Sequence, residues 1–231
     1  MIRYNLAEST YQRSFGVVLL LDPFAEQTVR SIWTDLEQEG ITTSLPAIVC
    51  ALPHLTLCTC QDVDLAGVAL GLQRFAAEVQ PFQISFSALG AFPTTAGTAV
   101  FLQPTITEEL LLTHRRFHQR LQSSLIGISP YYQPGRWTPH CSLGIGLPDS
   151  VAKQTINYCL SLSLPMLGQV QAVALLEILT YERQVVTGCE RAVFAFGDGK
   201  ELPIAVCPKP RGCPFITEED LSQQIQLDLC Q

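Results

Sequence analysis

One five-residue pattern occurs twice in this chain of 231 residues. Pro-His-Leu-Thr-Leu spans residues 53–57, and Pro-His-Cys-Ser-Leu spans residues 139–143, which places the two histidines 86 positions apart. Both segments have a proline, a histidine, a variable residue, a hydroxyl residue and a leucine, and we call them the first and the second motif. Such a duplication predicts two related halves that face each other.

The motifs have the alternation that is typical of β-strands. Side chains two positions apart on a strand point the same way, about 7 Å apart. His54 and Thr56 therefore share one face, and so do His140 and Ser142. The residues predicted to face a core are Leu55, Leu57, Cys141 and Leu143.

Hydrophobic patterning predicts strands and helices mixed along the whole chain. The predicted strands cover residues 14–22, 54–60, 82–89, 98–104, 137–147, 170–182 and 189–197, and the predicted helices cover 22–40, 64–80, 107–125 and 149–162. This mixture, with hairpin-like strand pairs, favours an α+β fold over a helical bundle. We expect one bilobal domain over residues 1–202 and a peripheral C-terminal tail over 203–231.

Charge and composition exclude several classes of function. Lysine and arginine number 14 against 21 acidic residues, and a net charge of −7 argues against general binding to duplex DNA or long RNA. A small phosphate ligand held by a few local donors remains compatible with this charge. The longest apolar run, residues 15–21, is too short to cross a bilayer. The first ten residues lack the apolar segment of a secretory signal, so the expected compartment is the cytosol.

Nine cysteines, an odd number, show no paired C-x-x-C spacing. Cys58, Cys141 and Cys159 lie in apolar segments, which favours reduced thiols packed in a core. A metal site built on Cys207 and Cys213 is the rival interpretation, and no histidine lies near them in sequence. We expect neither a metal nor a cofactor.

Two histidines with attached hydroxyls suit acid and base catalysis. The ordinary histidine pKa of about 6.5 allows one ring to be neutral and the other protonated near neutral pH. Hydrolysis of a strained cyclic phosphodiester needs both forms, because the attacking water loses a proton while the departing sugar oxygen gains one. Thr56 and Ser142 would donate hydrogen bonds to the phosphate oxygens that do not take part in bond breaking.

The two elements HLTL and HCSL, together with the approach RWTPHCSL, resemble the signature of the two-histidine (2H) phosphoesterase superfamily, which includes 2′-5′ RNA ligase-like proteins and cyclic nucleotide phosphodiesterases. The resemblance covers about residues 14–197. It implies two pseudo-symmetric lobes, each with an antiparallel sheet and flanking helices, around a central cleft. It also implies metal-independent catalysis by His54 and His140, with Thr56 and Ser142 holding the phosphate. The second motif has serine where the family has threonine, which keeps the donor.

Other residues near the second motif are candidates for substrate binding. Tyr131, Tyr132 and Arg136 precede it in a loop, where they could stack on a base or neutralise phosphate charge. The alternative is a solvated loop with one buried aromatic, and Trp137 is interpreted as a packing residue.

A second pair of histidines lies four residues apart on a predicted helix. His114 and His118 have the spacing of a shared metal face, but Arg115, Arg116 and Arg120 surround them in sequence. We interpret this region as a basic solvated face, with local attraction of an RNA backbone as a further alternative.

The sequence therefore predicts a monomeric cyclic phosphodiesterase that acts on a small nucleotide or an RNA end, with no membrane or duplex DNA partner. Which histidine is the base stays open. The alternatives are 2′-5′ RNA end joining by the same site and a non-catalytic module that binds a nucleotide or RNA end.

Overall fold

A computed structural model describes residues 12–204, except 44, 46, 47, 49, 182 and 183. The predicted tail lies almost entirely outside the described residues. The strands are β1 (Gln12–Leu21), β2 (His54–Cys60), β3 (Asp62–Val63), β4 (Phe82–Thr94), β5 (Gly97–Pro104), β6 (Leu125–Ile126), β7 (Cys141–Leu147), β8 (Met166–Tyr181) and β9 (Gln184–Ala195). The helices are α1 (Pro23–Gln38), α2 (Leu65–Glu78), α3 (Glu108–Leu121) and α4 (Asp149–Cys159), with short 3-10 helices at Gln122–Ser124 and Pro130–Tyr132.

The helices begin where the sequence supplies caps. The carboxylate of Asp22 accepts hydrogen bonds from the backbone N–H groups of Phe24 and Ala25, at 3.0 and 3.1 Å, and Pro23 occupies the first helical position of α1. The Thr107 hydroxyl accepts from Leu110 at 3.2 Å and starts α3. All four predicted helices are present, and α3 ends at residue 121 rather than 125.

Seven of the strands form one antiparallel sheet in the order β2-β1-β8-β4-β5-β7, with β9 as a second partner of β8. Strand β4 pairs with residues 166–170 of β8, whereas β9 pairs with residues 172–181 on the same edge. The sheet therefore has two halves, β2-β1-β8-β9 and β4-β5-β7, which are joined through β8. This confirms the predicted α+β architecture.

The core lies between the sheet and the helices. Phe75 of α2 packs edge-on against Phe117 of α3 and Phe196, with ring centroids 6.1 and 6.0 Å apart. Leu55, Leu57, Cys141 and Leu143 are fully buried, as the alternation of the two motifs predicts. Phe24 at the start of α1 is 74% exposed and lies outside this core.

The register of β1 shows which side chains lie on the same face as the polar residues of the first motif. Leu20 pairs with His54 and Val18 pairs with Thr56. Directly paired residues of an antiparallel sheet project to the same side, so small apolar side chains, among them Val18 and Ala174, form the surface beside the motif's polar residues. Among the described helices, none is long and apolar enough to cross a bilayer.

Candidate active site

The two motifs lie on the two end strands of the sheet. His54 is the first residue of β2, and His140 directly precedes β7. Although β2 and β7 stand at opposite ends of the strand order, a hydrogen bond joins the backbone of His54 to the sulfur of Cys141. The sheet therefore curves until its ends approach, and this approach brings both histidines to one place.

The two histidine rings are anchored in matching ways. Nδ1 of His54 lies 2.6 Å from the carbonyl oxygen of Leu52, and Nδ1 of His140 lies 2.7 Å from that of Thr138. A carbonyl oxygen only accepts hydrogen bonds, so Nδ1 must carry a proton in both rings. In the neutral form each Nε2 is then an unprotonated base, and in the charged form each Nε2 is a donor.

Both rings are half-buried, and burial is the main reason why the pKa of each lies below its ordinary value of 6.5. The hydrogen bonds to the Leu52 and Thr138 carbonyls raise the two pKa values and offset part of this effect. A charge on His140 lowers the pKa of His54 further, so the rings lie within electrostatic reach of each other. One ring is thus more easily protonated when the other is neutral.

Two tryptophans support the motifs crosswise. Trp33 of α1, which precedes the first motif, donates its indole N–H to the carbonyl oxygen of Ser142 at 3.1 Å. Trp137, which precedes the second motif, donates to the carbonyl oxygen of Thr56 at 2.8 Å. Trp137 is buried, in agreement with its interpretation as a packing residue, whereas no sequence pattern predicted the Trp33 contact.

The second motif has an aromatic neighbourhood that sequence patterning did not reveal. The ring of His140 lies 5.2 Å from that of Phe92 and 5.1 Å from that of Phe101, measured between centroids. Phe92 belongs to β4, which is five residues longer than the predicted strand and reaches the histidine through this extension. Among the described residues, no aromatic ring is in contact with the ring of His54.

The candidate substrate-binding residues are placed differently from one another. Tyr131 is 78% exposed, and Arg136 is also exposed on the turn before the second motif. Within the described part of the chain, neither side chain makes a hydrogen bond, an ion pair or a ring contact with a motif residue. Tyr132 is half-buried: burial raises the pKa of its phenol, and a hydrogen bond from the side chain of Thr56 offsets part of that rise.

The interpretation of His114 and His118 as part of a basic solvated face is wrong. The two side chains are 2% and 3% exposed, and each Nε2 lies 2.9 Å from the carbonyl oxygen of Tyr132. The signal was present in the sequence, because the buried positions of α3 follow helical spacing and include both histidines: Leu110, Thr113, His114, Phe117, His118 and Leu121. The arginines between them point outward.

Among the described residues, no group of three or more His, Cys, Asp or Glu side chains is placed to hold a metal ion. Cys58, Cys141 and Cys159 are free and buried, as predicted. Cys189 is disulfide-bonded and departs from the expectation of reduced thiols. Cys207 and Cys213 lie outside the described residues.

A cavity of about 670 Å³ adjoins the first motif. It lies between α1, the segment before β2 and strand β8, and Leu52 and Pro53 form the wall nearest to His54. Its charged lining consists of Glu26, Arg30, Glu37 and Glu190. The cavity is therefore beside the paired histidines and not between them.

A curved antiparallel sheet that presents two His-x-[Thr/Ser] strands to one space defines the class of two-histidine phosphoesterases. The family model of the 2′-5′ RNA ligase superfamily matches residues 25–182. This match covers more than half of the chain, so the chain belongs to the 2′-5′ RNA ligase superfamily, a group of phosphoesterases and RNA ligase-like proteins.

Solved structures show the same fold at low sequence identity. E. coli LigT complexed with NADP+ aligns with a TM-score of 0.50 and 13% identity over 81% of this chain and 99% of LigT, and LigT complexed with 3′-AMP gives the same values. TT0787 of Thermus thermophilus aligns with a TM-score of 0.53 and 14% identity over 80% of this chain and 98% of TT0787. No curated protein matches the chain in sequence.

Proposed function

We propose that this protein is a metal-independent phosphoesterase that opens a 2′,3′-cyclic phosphate on a nucleotide or an RNA end. The observation that carries the proposal is the matched anchoring of the two histidines. Both rings hold a proton on Nδ1 against a carbonyl oxygen two residues earlier, which leaves both Nε2 atoms for proton transfer. His54 and His140 then form an acid and base pair.

The reaction needs one neutral and one protonated ring. The neutral Nε2 takes a proton from water while the water oxygen forms a bond to phosphorus. The bond from phosphorus to one sugar oxygen breaks, and the protonated Nε2 gives its proton to that oxygen. Water is consumed, a phosphomonoester is released, and exchange with solvent restores the original protonation states.

The hydroxyls of Thr56 and Ser142 serve the phosphate in this proposal. Each shares a strand face with its histidine and can donate to a phosphate oxygen whose bond to phosphorus does not break. Negative charge grows on these oxygens as the fifth bond to phosphorus forms, so a fixed donor stabilises the transition state more than the ground state.

Two observations support a small nucleotide as the substrate. LigT, which has this fold, is known in complexes with 3′-AMP and with NADP+. The chain carries a net charge of −7, which disfavours a long polyanion. We infer that the chain acts on mononucleotides or on the last nucleotides of an RNA. Tyr131 and Arg136 stay candidates for contacts with the part of the substrate that lies outside the cleft.

The test measures turnover of the four nucleoside 2′,3′-cyclic monophosphates in the presence of EDTA. We compare the wild type with His54→Asn and His140→Asn, because asparagine keeps an N–H near the position of Nδ1 and lacks Nε2. Each variant is expected to lose about 10²- to 10⁴-fold in kcat. Thr59→Val, which changes a hydroxyl of β2 outside the motif, is the matched control for Thr56→Val and is expected to retain activity.

The outcomes separate the three functions that the site could perform. Turnover that survives EDTA and is lost in both histidine variants supports the hydrolase. Joining of a cyclic-phosphate-ended RNA to a 5′-hydroxyl RNA, at a rate above that of hydrolysis, would identify a ligase. Tight nucleotide binding by the wild type without any turnover would identify a binding module, and activity that is lost in EDTA would contradict the metal-independent mechanism.

A further inference from the structure

Arg30 on helix α1 holds the backbone just before the first motif. Its Nη1 donates a hydrogen bond to the carbonyl oxygen of Ala51 at 3.1 Å, across 21 positions of sequence. Residues 51–53 precede His54, which is the first residue of β2 to pair with β1. This hydrogen bond therefore attaches a short stretch of irregular backbone to a helix at the point where the chain enters the motif.

The guanidinium of Arg30 is itself oriented by α1. Glu26 lies one turn earlier on the helix, and its carboxylate accepts a hydrogen bond from Nε of Arg30 at 2.7 Å. An acidic residue four positions before an arginine is a favourable pair on a helix. A guanidinium is planar with its donors in fixed directions, so a contact at Nε also sets where Nη1 points. Arg30 thus presents a directed donor to Ala51.

The backbone between Ala51 and His54 transmits this contact to the histidine ring. The bond from Arg30 fixes the peptide unit between Ala51 and Leu52. The next peptide unit, between Leu52 and Pro53, carries the carbonyl oxygen that lies 2.6 Å from Nδ1 of His54. Only φ and ψ of Leu52 separate the two units, and a following proline restricts these angles to the extended region. A displacement of the Ala51 carbonyl therefore also moves the acceptor of the His54 proton.

The backbone at Cys50 shows that this segment is held against a local cost. Cys50 has a φ of 60°, in the left-handed region that disfavours residues other than glycine. A residue keeps such a conformation only where the surrounding contacts enforce it. The N–H of Ala51 donates to the carbonyl oxygen of Ile48 at 3.1 Å, and the carbonyl of Ala51 accepts from Arg30. Both backbone polar groups of the next residue are thus engaged.

The same turn of α1 also supports the second motif. The guanidinium carbon of Arg30 lies 5.9 Å from the centroid of the Trp33 ring, and a cation over an aromatic face is an attractive contact. The indole N–H of Trp33 donates to the carbonyl oxygen of Ser142. Arg30 and Trp33 therefore attach one helix to the backbone of both motifs, through Ala51 and Ser142.

We propose that Arg30 is a positioning residue that keeps the proton of the neutral His54 ring on Nδ1 by holding the carbonyl of Ala51 in place. In a neutral imidazole, the hydrogen bond at one nitrogen decides which nitrogen carries the proton. If the Leu52 carbonyl moves away, the proton can occupy Nε2, which then cannot take a proton from water. This inference rests on the proposed function, in which Nε2 of His54 takes part in proton transfer.

¹⁵N NMR of the histidine side chains tests the proposal without turnover. At about pH 8 both motif rings are neutral, since burial lowers the pKa values of His54 and His140. In the wild type we expect both rings to be protonated on Nδ1, and the spectrum of His54→Asn assigns the His54 signals. Arg30→Met keeps the apolar stem and removes the donors, so it should give a mixture of tautomers at His54 and leave His140 unchanged. A His54 ring that stays fully protonated on Nδ1 in Arg30→Met would overturn the proposal.

Kinetics on a cyclic mononucleotide measure the consequence for catalysis. Arg30→Met should lower kcat about tenfold with KM changed less than about twofold, because Arg30 orients a histidine and does not bind the substrate. A rise in KM with unchanged kcat would assign Arg30 to substrate binding and overturn the positioning role. A fall in melting temperature with unchanged kcat would reduce Arg30 to a structural role and contradict the proposal as well.

Two variants are the controls. Arg120→Met breaks the ion pair of Arg120 with Glu78, which joins α3 to α2, and Glu26→Gln keeps an oxygen that can accept from Nε of Arg30. Both should keep kcat within about threefold of the wild type, and a loss of about tenfold in either would show that a missing surface charge lowers the rate. If the wild type does not open cyclic phosphates, the proposed function fails, whereas the tautomer of His54 in Arg30→Met still decides whether Arg30 positions the ring.

Discussion

The two motifs have nearly the same sequence but different surroundings. In the second motif, the ring of His140 is flanked by Phe92 and Phe101, and the hydroxyl of Ser142 has no side-chain partner among the described residues. In the first motif, the hydroxyl of Thr56 has Tyr132 as its partner. The duplicated strand therefore supplies the same types of side chain twice. The neighbouring elements differ, so that the histidine ring has the most contacts in the second motif and the hydroxyl residue has them in the first.

The largest expected effect tests whether the two histidines are equivalent. His54→Asn and His140→Asn should each reduce kcat by about 10²- to 10⁴-fold, and the double variant should lose much less than the product of the two. The reason is that proton donation and proton removal belong to one concerted step. Steady-state kinetics on a cyclic mononucleotide measure all three losses. Fully multiplicative losses would show that the two rings act independently.

The second largest expected effect is a loss of fold stability at low pH, and it comes from the buried pair His114 and His118 on α3. Within the described part of the chain, the second motif has no counterpart of this pair. Burial and the neighbouring His118 lower the pKa of His114 to about 4, from an ordinary value of 6.5. The unfolded chain therefore binds a proton on this ring between about pH 6.5 and 4 that the folded chain does not bind. Its contribution to stability is complete above pH 6.5 and is lost as the pH falls through this window.

When the pH falls from about 7 to 5, protonation linked to His114 alone should lower the free energy of unfolding by roughly 2 kcal/mol. Urea unfolding at both pH values measures the loss, and His114→Gln should show a loss smaller by about that amount. Arg116→Gln, at an exposed position of the same helix, is the control and should behave as the wild type. Equal acid sensitivity of wild type and His114→Gln would show that His114 does not carry this effect.

A smaller loss of fold stability is expected when either of the two tryptophans that support the motifs crosswise, Trp33 or Trp137, is replaced. Trp33→Phe and Trp137→Phe each remove one indole donor, from the carbonyls of Ser142 and Thr56 respectively, and each should destabilise the fold by about 1 kcal/mol or more. Trp137→Phe should have the larger effect, because it also disturbs the stacking on His114. Denaturant unfolding of the two variants ranks them. The reverse order would show that the contact of Trp33 matters more.

The smallest effect comes from exchanging the hydroxyl residues. Ser142→Thr and Thr56→Ser both keep the donor, so kcat should stay within about threefold of the wild type. Thr56→Ser should be the more harmful of the two, since its hydroxyl must keep its bond to Tyr132 without the methyl group that limits rotation. A loss above about tenfold in Ser142→Thr would indicate that the second motif has no room for threonine.

Local patterns predicted the elements and the faces of the motif strands. Alternation placed Leu55 and Leu57 in the core, and the predicted helix ranges begin at Asp22 and Thr107, the residues that cap α1 and α3. Contacts between distant segments were beyond these patterns. The approach of Phe92 to His140 depends on how far β4 extends past its predicted end, and the contact of Trp33 with Ser142 joins residues 109 positions apart.

The error on His114 and His118 has a different origin. Neighbouring arginines suggested a solvated surface, although the helical spacing of Leu110, Phe117 and Leu121 placed both histidines on the buried side. Periodicity along a helix reports which side faces the core, whereas composition of the segment does not. The roles of His54, His140, Thr56 and Ser142 remain predictions that the experiments above address.

The sharing of β8 between the two halves of the sheet determines when the cleft can form during synthesis. Residue 12 of β1 pairs with residue 180 of β8, and β4 also needs the first part of β8 as its neighbour. A nascent chain that has reached α4 already contains both motifs and lacks the strand that unites them. The two motif histidines therefore come together late, in a step dominated by pairing between distant segments, which is a slow type of folding.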